Sequence, residues 1–269
     1  MATSLSDGRL STNVGTVQVL RAGAGDPVVY LHSAMGEGAG TLFLEDLADE
    51  REVVAPVFPG FGESEGIESI DDMDDAVFHL LDVLDRLGLS SPAVVGLSLG
   101  GWMAAELAVR YPDRVSRLVL VNPVGLYLPG AEIKELFGRP LRELAQDMFA
   151  DQSHPMAQMM SQLDTMAASE VDIPFEVLRP LLQSMAATAK LAWDPYLHDP
   201  KLAGRLHRVS SPALIVRGAQ DTLVPRAHAE AYASGISRAA LVEVEGAAHL
   251  LPLEKPAELV ELVKAHLGA

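Results

Sequence analysis

Apolar positions along the chain follow two different patterns, and the order of the patterns predicts the architecture. Over residues 14–20 apolar and polar residues alternate, the period of a half-buried antiparallel edge strand. Unbroken apolar runs follow at residues 27–31, 92–97, 118–121 and 213–216. A run without alternation fits a strand covered on both faces, as in a parallel sheet sandwiched by helices. Weaker strands are predicted at residues 52–55 and 240–244. Between the strands lie segments with helical spacing. Residues 71–87 put Val77, Leu80, Leu81, Leu84 and Leu87 on one face, with Asp71 and Asp72 at the end where the helix dipole favours negative charge. Residues 99–111 form a second helix that Pro112 closes. Residues 253–267 form a third, with Leu259, Leu262, Val263 and Leu267 inward and Gly268 at its end. Strand alternating with helix implies right-handed crossovers in an open, doubly wound sheet.

Residues 125–209 break the alternation. No buried-strand run occurs there, and the segment reads as amphipathic helices rich in Leu, Ala and Met. Met148, Met156, Met159, Met160, Met166 and Met185 all fall within it. The predicted division is therefore a core of residues 1–124 and 210–269, with residues 125–209 as a helical cap over the strand ends. Methionine either fills such a subdomain's own core or lines an adaptable apolar pocket.

The 269 residues can bury one full core, and 49% hydrophobic against 21% charged residues is the balance of a compact chain. A formal net charge of −17 disfavours nucleic acid and anionic membrane surfaces as partners and otherwise reads as solubility. Oligomeric state is not legible. The chain has no cysteine, so disulfides and thiolate metal sites are excluded, and no metal or cofactor is called for. The first 21 residues have no apolar signal-type core and no stretch approaches the roughly 20 apolar residues of a membrane span, so a cytoplasmic location is expected.

The chemistry concentrates at strand ends. Gly96-Leu97-Ser98-Leu99-Gly100 joins the strand at 92–97 to the helix at 99–111, the strand–turn–helix setting that a nucleophile elbow requires. Glycine is needed on both sides because the turn is tight and the chain passes close to its neighbours. A serine hydroxyl must pass its proton to a base. Of the eight histidines, His249 lies after the last predicted strand and before the last helix, at the same sheet edge as Ser98. His79 and His266 lie within helices, His154, His198 and His207 in the insertion, and His228 at a helix start. Asp221, in the loop after the strand at 213–216, is the carboxylate expected to fix the imidazole tautomer; the order Ser, Asp, His agrees with this class of triad. The end of the strand at 118–121, a possible alternative site for the acid, carries uncharged Asn122. If both strand ends approach His249 from one edge, an aspartate introduced at 122 is expected to replace part of Asp221's function.

Five segments in order, Tyr30-Leu31-His32-Ser33-Ala34-Met35-Gly36, Pro59-Gly60-Phe61-Gly62-Glu63-Ser64, Gly96 to Gly101, Gly218 to Asp221 and Gly246 to His249, resemble the signature of the α/β-hydrolase superfamily. The resemblance covers essentially the whole chain outside the insertion. It implies an eight-stranded, mostly parallel sheet with a helical cap. It also implies an oxyanion hole of two backbone N–H groups, at Leu99 and at Ala34, with Met35 as second choice because Ser33 replaces the glycine usual after the histidine. His32 is then a support for that loop. Relatives with an aspartate nucleophile are disfavoured by Ser98, and cofactor-free peroxidases by Leu99. The leading expectation is a carboxylesterase-like serine hydrolase (EC 3.1.1) acting on an ester, thioester or lactone of a small apolar substrate. A carbon–carbon bond hydrolase of the dienone-cleaving type shares the triad and cap and is the alternative. A non-catalytic ligand-binding protein on the same fold is the other.

Overall fold

The computed structural model describes residues 4–36, 42–169 and 172–268. In chain order the strands and helices are β1 (Ser6–Ser11), β2 (Thr16–Ala22), β3 (Pro27–Leu31), α1 (Leu42–Leu47), β4 (Glu52–Pro56), α2 (Met73–Arg86), β5 (Ala93–Leu97), α3 (Leu99–Arg110), β6 (Arg117–Val121), β7 (Gly125–Leu126), α4 (Leu141–Met148), α5 (Pro155–Ala168), α6 (Phe175–Ala192), β8 (His198–Asp199), β9 (Ala213–Gly218), α7 (Arg226–Gly235), β10 (Ala239–Val244), α8 (Leu251–Glu254) and α9 (Pro256–Gly268). Eight strands form one sheet in the order β1-β2-β4-β3-β5-β6-β9-β10. Strand β2 runs antiparallel to both neighbours, and every other neighbouring pair in this sheet is parallel.

The apolar runs become the central strands. All five residues of β5 and all six of β9 are buried, as both-face coverage requires. Helix α2 starts at Met73 because Asp72, in extended conformation, caps it by accepting the Asp75 N–H at 3.0 Å. Its inward face carries Val77, Leu80, Leu81 and Leu84, while Leu87 follows the last turn half-buried. Helix α3 packs between the sheet and the elements above it, with every residue from Leu99 to Val109 buried.

Three expectations need correction. The alternating segment at 14–20 is the second strand and not the edge. The edge is β1, Ser-Asp-Gly-Arg-Leu-Ser, exposed at all positions but half-buried Leu10, so it lacks the period-two signal. Its charged residues suit an edge, where they discourage pairing with other chains. The expected helix over 253–267 is two helices, because a residue before proline is pushed out of the helical region and Lys255, before Pro256, sits at φ −135°. Leu262 on α9 is half-buried, and the fourth buried position is Val260.

Between β6 and β9 lie α4, α5 and α6, together with two-residue strands β7 and β8, which pair in parallel and bring the two ends of this segment together. The segment is tied to the strand-end loops. Leu250 N–H donates to Met148 O at 3.1 Å, and Lys134 N–H to Leu223 O at 3.0 Å. Met148 and Met160 are buried, whereas Met156 and Met159 lie on an exposed face.

The packing generates a test. A Cβ on Gly100 would overlap the backbone carbonyl oxygens of Leu31 and His32, which no side-chain rotation relieves, whereas a Cβ on Gly204 meets nothing within 4 Å. Gly100→Ala is expected to lose about 3 kcal/mol or more of stability, read from the urea midpoint, while Gly204→Ala should leave the midpoint unchanged.

Candidate active site

Strand β5 ends at Leu97 and α3 begins at Leu99, so Ser98 takes the whole turn at φ 53°, ψ −110°. A non-glycine residue at positive φ is strained, by on the order of 1–3 kcal/mol. The neighbours hold it there. Ser98 N–H donates to Val121 O at 2.9 Å, and Ser98 O accepts from Trp102 N–H at 3.0 Å and Val124 N–H at 3.3 Å. A Cβ at Gly96 would strike the Gly100 carbonyl, and one at Gly101 would lie 3.0 Å from Pro123 Cβ. The glycines thus let β5, α3 and the chain beyond β6 meet around one serine.

Ser98 Oγ–H points to His249 Nε2 at 2.8 Å, and His249 Nδ1–H donates to Asp221 Oδ2 at 2.9 Å. A carboxylate only accepts, so Asp221 assigns the Nδ1–H tautomer and leaves Nε2 free to take a proton. The other oxygen, Oδ1, accepts from Leu223 N–H at 2.9 Å and Val224 N–H at 3.0 Å, which fixes the rotation of the carboxylate. The three side chains are buried, with Ser98 5%, Asp221 3% and His249 2% exposed. Charge developing among them is therefore poorly screened by water.

Ser33 stands where the hydrolase signature has glycine, and it orders the loop. Its Oγ accepts Met35 N–H at 3.0 Å and its carbonyl accepts Gly36 N–H at 3.1 Å, closing a turn over residues 33–36. Met35 N–H is thereby engaged, whereas Ala34 N–H and Leu99 N–H meet no acceptor among the described residues. Below the loop, His32 Nδ1–H donates to Ser33 O at 2.7 Å and Nε2 accepts Phe58 N–H at 3.0 Å, with the Phe61 ring edge-on at 4.7 Å. Both His32 ring nitrogens are used in holding backbone.

Among the described hydrogen bonds, His249 is the one histidine that reaches Ser98. Burial lowers the pKa of His79 in α2, and that of His228, whose Nε2–H donates to Ala131 O at 2.8 Å. His198 Nδ1–H donates to Tyr196 O at 2.7 Å, and His154 caps α5.

Sequence reasoning missed the bonding roles of four residues around the site. Asn122 Oδ1 accepts Gly218 N–H at 2.9 Å, and its Nδ2 donates to Ala248 O at 3.0 Å and His249 O at 2.8 Å. That side chain is bonded to backbone groups and not to the imidazole, so an aspartate at 122 would have to leave these positions to take the place of Asp221. Glu254 Oε2 accepts Ala248 N–H at 2.7 Å, while Oε1 accepts Ala150 and Asp151 N–H at 2.8 and 3.0 Å. Arg217 donates to the Asp221 carbonyl at 2.9 Å. Ser33 is the fourth. The bonds of Asn122, and those of Glu254 to Ala150 and Asp151, cross about 100 residues or more and leave no mark in a motif.

Comparison with known proteins agrees with this fold. A family described as alpha/beta hydrolase fold matches residues 26–256. The chain is 31% identical to the dihydrolipoyllysine-residue acetyltransferase component of the acetoin cleaving system of Cupriavidus necator, over 92% of this chain and 65% of that protein. It is 29% identical to 2-hydroxymuconate semialdehyde hydrolase of Pseudomonas sp. strain CF600, over 90% of this chain and 87% of that one. The chain thus spans just under two thirds of the length of the first relative and most of the second. Among solved structures, 2-hydroxy-6-oxo-6-phenylhexa-2,4-dienoate hydrolase of Rhodococcus sp. strain RHA1 superposes at TM-score 0.79 with 25% identity, covering 99% of this chain and 100% of that one. Naproxen esterase of Bacillus subtilis superposes at 0.77 with 21% identity, over 98% and 92%.

The bonding of Asp221 sets the outcome of its amide variant. In Asp221→Asn the side-chain oxygen must face the Leu223 and Val224 N–H groups, which turns the NH₂ towards His249 Nδ1 and forces the proton onto Nε2. Reaction of Ser98 with a fluorophosphonate should slow by on the order of 10⁴ with the far-UV spectrum unchanged, and Asn122→Asp added to it should restore nothing.

Proposed function

The chain belongs to the α/β-hydrolase-fold family, and within that family we propose that it is a serine hydrolase cleaving a neutral ester, thioester or lactone. The observation that carries the reading is the unbroken buried chain of hydrogen bonds Ser98–His249–Asp221, at 2.8 and 2.9 Å. Ser98 Oγ attacks the substrate carbonyl while its proton passes to His249 Nε2, and Asp221 balances the imidazolium. The carbonyl electron pair moves to oxygen, where Leu99 N–H and Ala34 N–H receive the charge; Met35, whose N–H is bonded to Ser33 Oγ, is set aside. Collapse expels the alcohol or thiol, protonated by His249. Water, activated by the same base, then releases the acid and regenerates Ser98. In this reading residues 125–209 cap a core of residues 1–124 and 210–269, and the substrate is a small molecule. No described helix is long and apolar enough to cross a membrane.

The relatives named for a semialdehyde and for a dienoate favour a second reading, carbon–carbon bond cleavage on the same triad. A dienoate is an anion, and its carboxylate calls for a cation in a dry site. Among the described residues the one buried cationic side chain is Arg217, which is spent on the carbonyls of Ala219 and Asp221 and on Glu243 at 3.0 Å. This supports the neutral substrate.

Two outcomes are expected. Wild-type protein hydrolyses short-chain and medium-chain p-nitrophenyl esters, and Ser98→Ala loses at least about 10⁴-fold; an unchanged rate in that variant removes Ser98 from the mechanism, and a wild type inert to both ester and fluorophosphonate points to a binding protein. In kcat/KM, neutral esters should exceed both an anionic ester of matched size and a dienone acid by at least about tenfold, a lower bound because an unpaired buried charge costs several times the roughly 1.4 kcal/mol of a tenfold change. Faster turnover of the dienone acid would establish the second reading instead.

A further inference from the structure

We propose that Asn122 is a positioning residue, a crosslink between strand ends that sets the His249 imidazole against Ser98; the proposal rests on the serine-hydrolase reading. Asn122 is the first residue past β6, 1% exposed, and at φ 42°. Its own N–H donates to Val216 O at 2.9 Å, which anchors it to β9. Left-handed backbone at this point is tolerated by asparagine better than by most residues. From there the side chain reaches across. The amide oxygen takes Gly218 N–H, at the end of the strand that leads to Asp221, and both amide hydrogens go to the carbonyls of Ala248 and His249.

The group is matched to the job. One side chain must accept once and donate twice in a buried place, and a primary amide supplies that set where carboxylate, hydroxyl and apolar groups do not. The three bonds span chain positions 96, 126 and 127 residues away, so they fix the base loop relative to the acid loop without touching the imidazole. The preceding peptide, between Ala247 and Ala248, is held by Glu254 through Ala248 N–H. His249 therefore sits on a backbone clamped from two directions. A displacement of about 1 Å in a reacting group can cost about 100-fold in rate, and the clamp governs a displacement of that size.

The test compares wild type with Asn122→Asp and Asn122→Gly. The aspartate keeps the shape but sets oxygen against the two carbonyls; the glycine keeps the left-handed backbone and removes the side chain without adding charge. Each is read by kcat and KM on a p-nitrophenyl ester per Ser98 labelled at end point by fluorophosphonate, by the pH dependence of the labelling rate, and by Tm. Both variants should lose about 100-fold in kcat per labelled serine at unchanged KM. In the aspartate variant alone the acid limb should move to higher pH, because a second negative charge favours the imidazolium. A role confined to stability would lower Tm and the labelled fraction but leave kcat per labelled serine at its wild-type value in the glycine variant, and that result overturns the proposal. So does failure of both variants to fold, since Asn122 would then hold the fold and not the base. A wild type that neither turns over ester nor labels refutes the serine-hydrolase reading itself, a distinct outcome.

Discussion

The close approach of β5 and α3 at Ser98 is the constraint on which the rest of the site depends. A residue at φ 53°, ψ −110° is held against its own preference, and local sequence supplies only part of the holding. The bonds that do so come from Val121 and Val124, on the far side of the β5–β6 ladder, and from Trp102 one turn into the helix. The strained serine is thus stabilised by the parallel register of β5 with β6, in which Leu97 pairs with Val121. Loss of that register would release the turn.

The same register brings the other two residues into place. Strands β6, β9 and β10 run parallel, so the loops after β9 and β10 emerge at the sheet edge where β5 delivers Ser98. Strand ends alone set a side chain only to within a few ångströms, which is coarser than a hydrogen bond. The remaining precision comes from bonds between the loops: Gln220 N–H to Ala247 O at 2.9 Å, Ala247 N–H to Gln220 Oε1 at 3.1 Å, and the Asn122 bridge. Gly218 permits this, because any Cβ there would overlap the Ala247 and Ala248 carbonyls.

Legibility followed physical cause. The buried runs of β5 and β9 were readable because burial on both faces demands an uninterrupted apolar sequence, and Ser98 was readable because its backbone geometry demands glycine at fixed offsets. His249 and Asp221 were readable as polar residues at the ends of such runs, once topology sends those ends to one edge. Strand β1 was not, since its residues face water and are under no apolar constraint. Strands β7 and β8 were too short to carry any period. The break at Lys255 was written in Pro256 but masked by the helical spacing on either side. Asn122 was readable as uncharged and was set aside for that reason, although its neutrality is what its two donors and one acceptor require.

Electrostatics around Asp221 follows the same division of labour. A buried carboxylate that must balance a transient imidazolium is of most use when no permanent cation has already neutralised it. The one buried guanidinium nearby, Arg217, is directed to the carbonyl of Asp221 and its charge is met by Glu243, with Arg226 on the second oxygen of Glu243 at 3.3 Å. The carboxylate itself accepts from neutral donors, two backbone N–H groups and the imidazole. Neutral donors orient a charge without cancelling it. Asn122 extends the principle to the base loop, where an amide fixes geometry and leaves Asp221 as the one anion bonded to the imidazole. Position and charge are thus assigned to different side chains, so that the loops can be locked rigidly while the field at His249 is set by a single group.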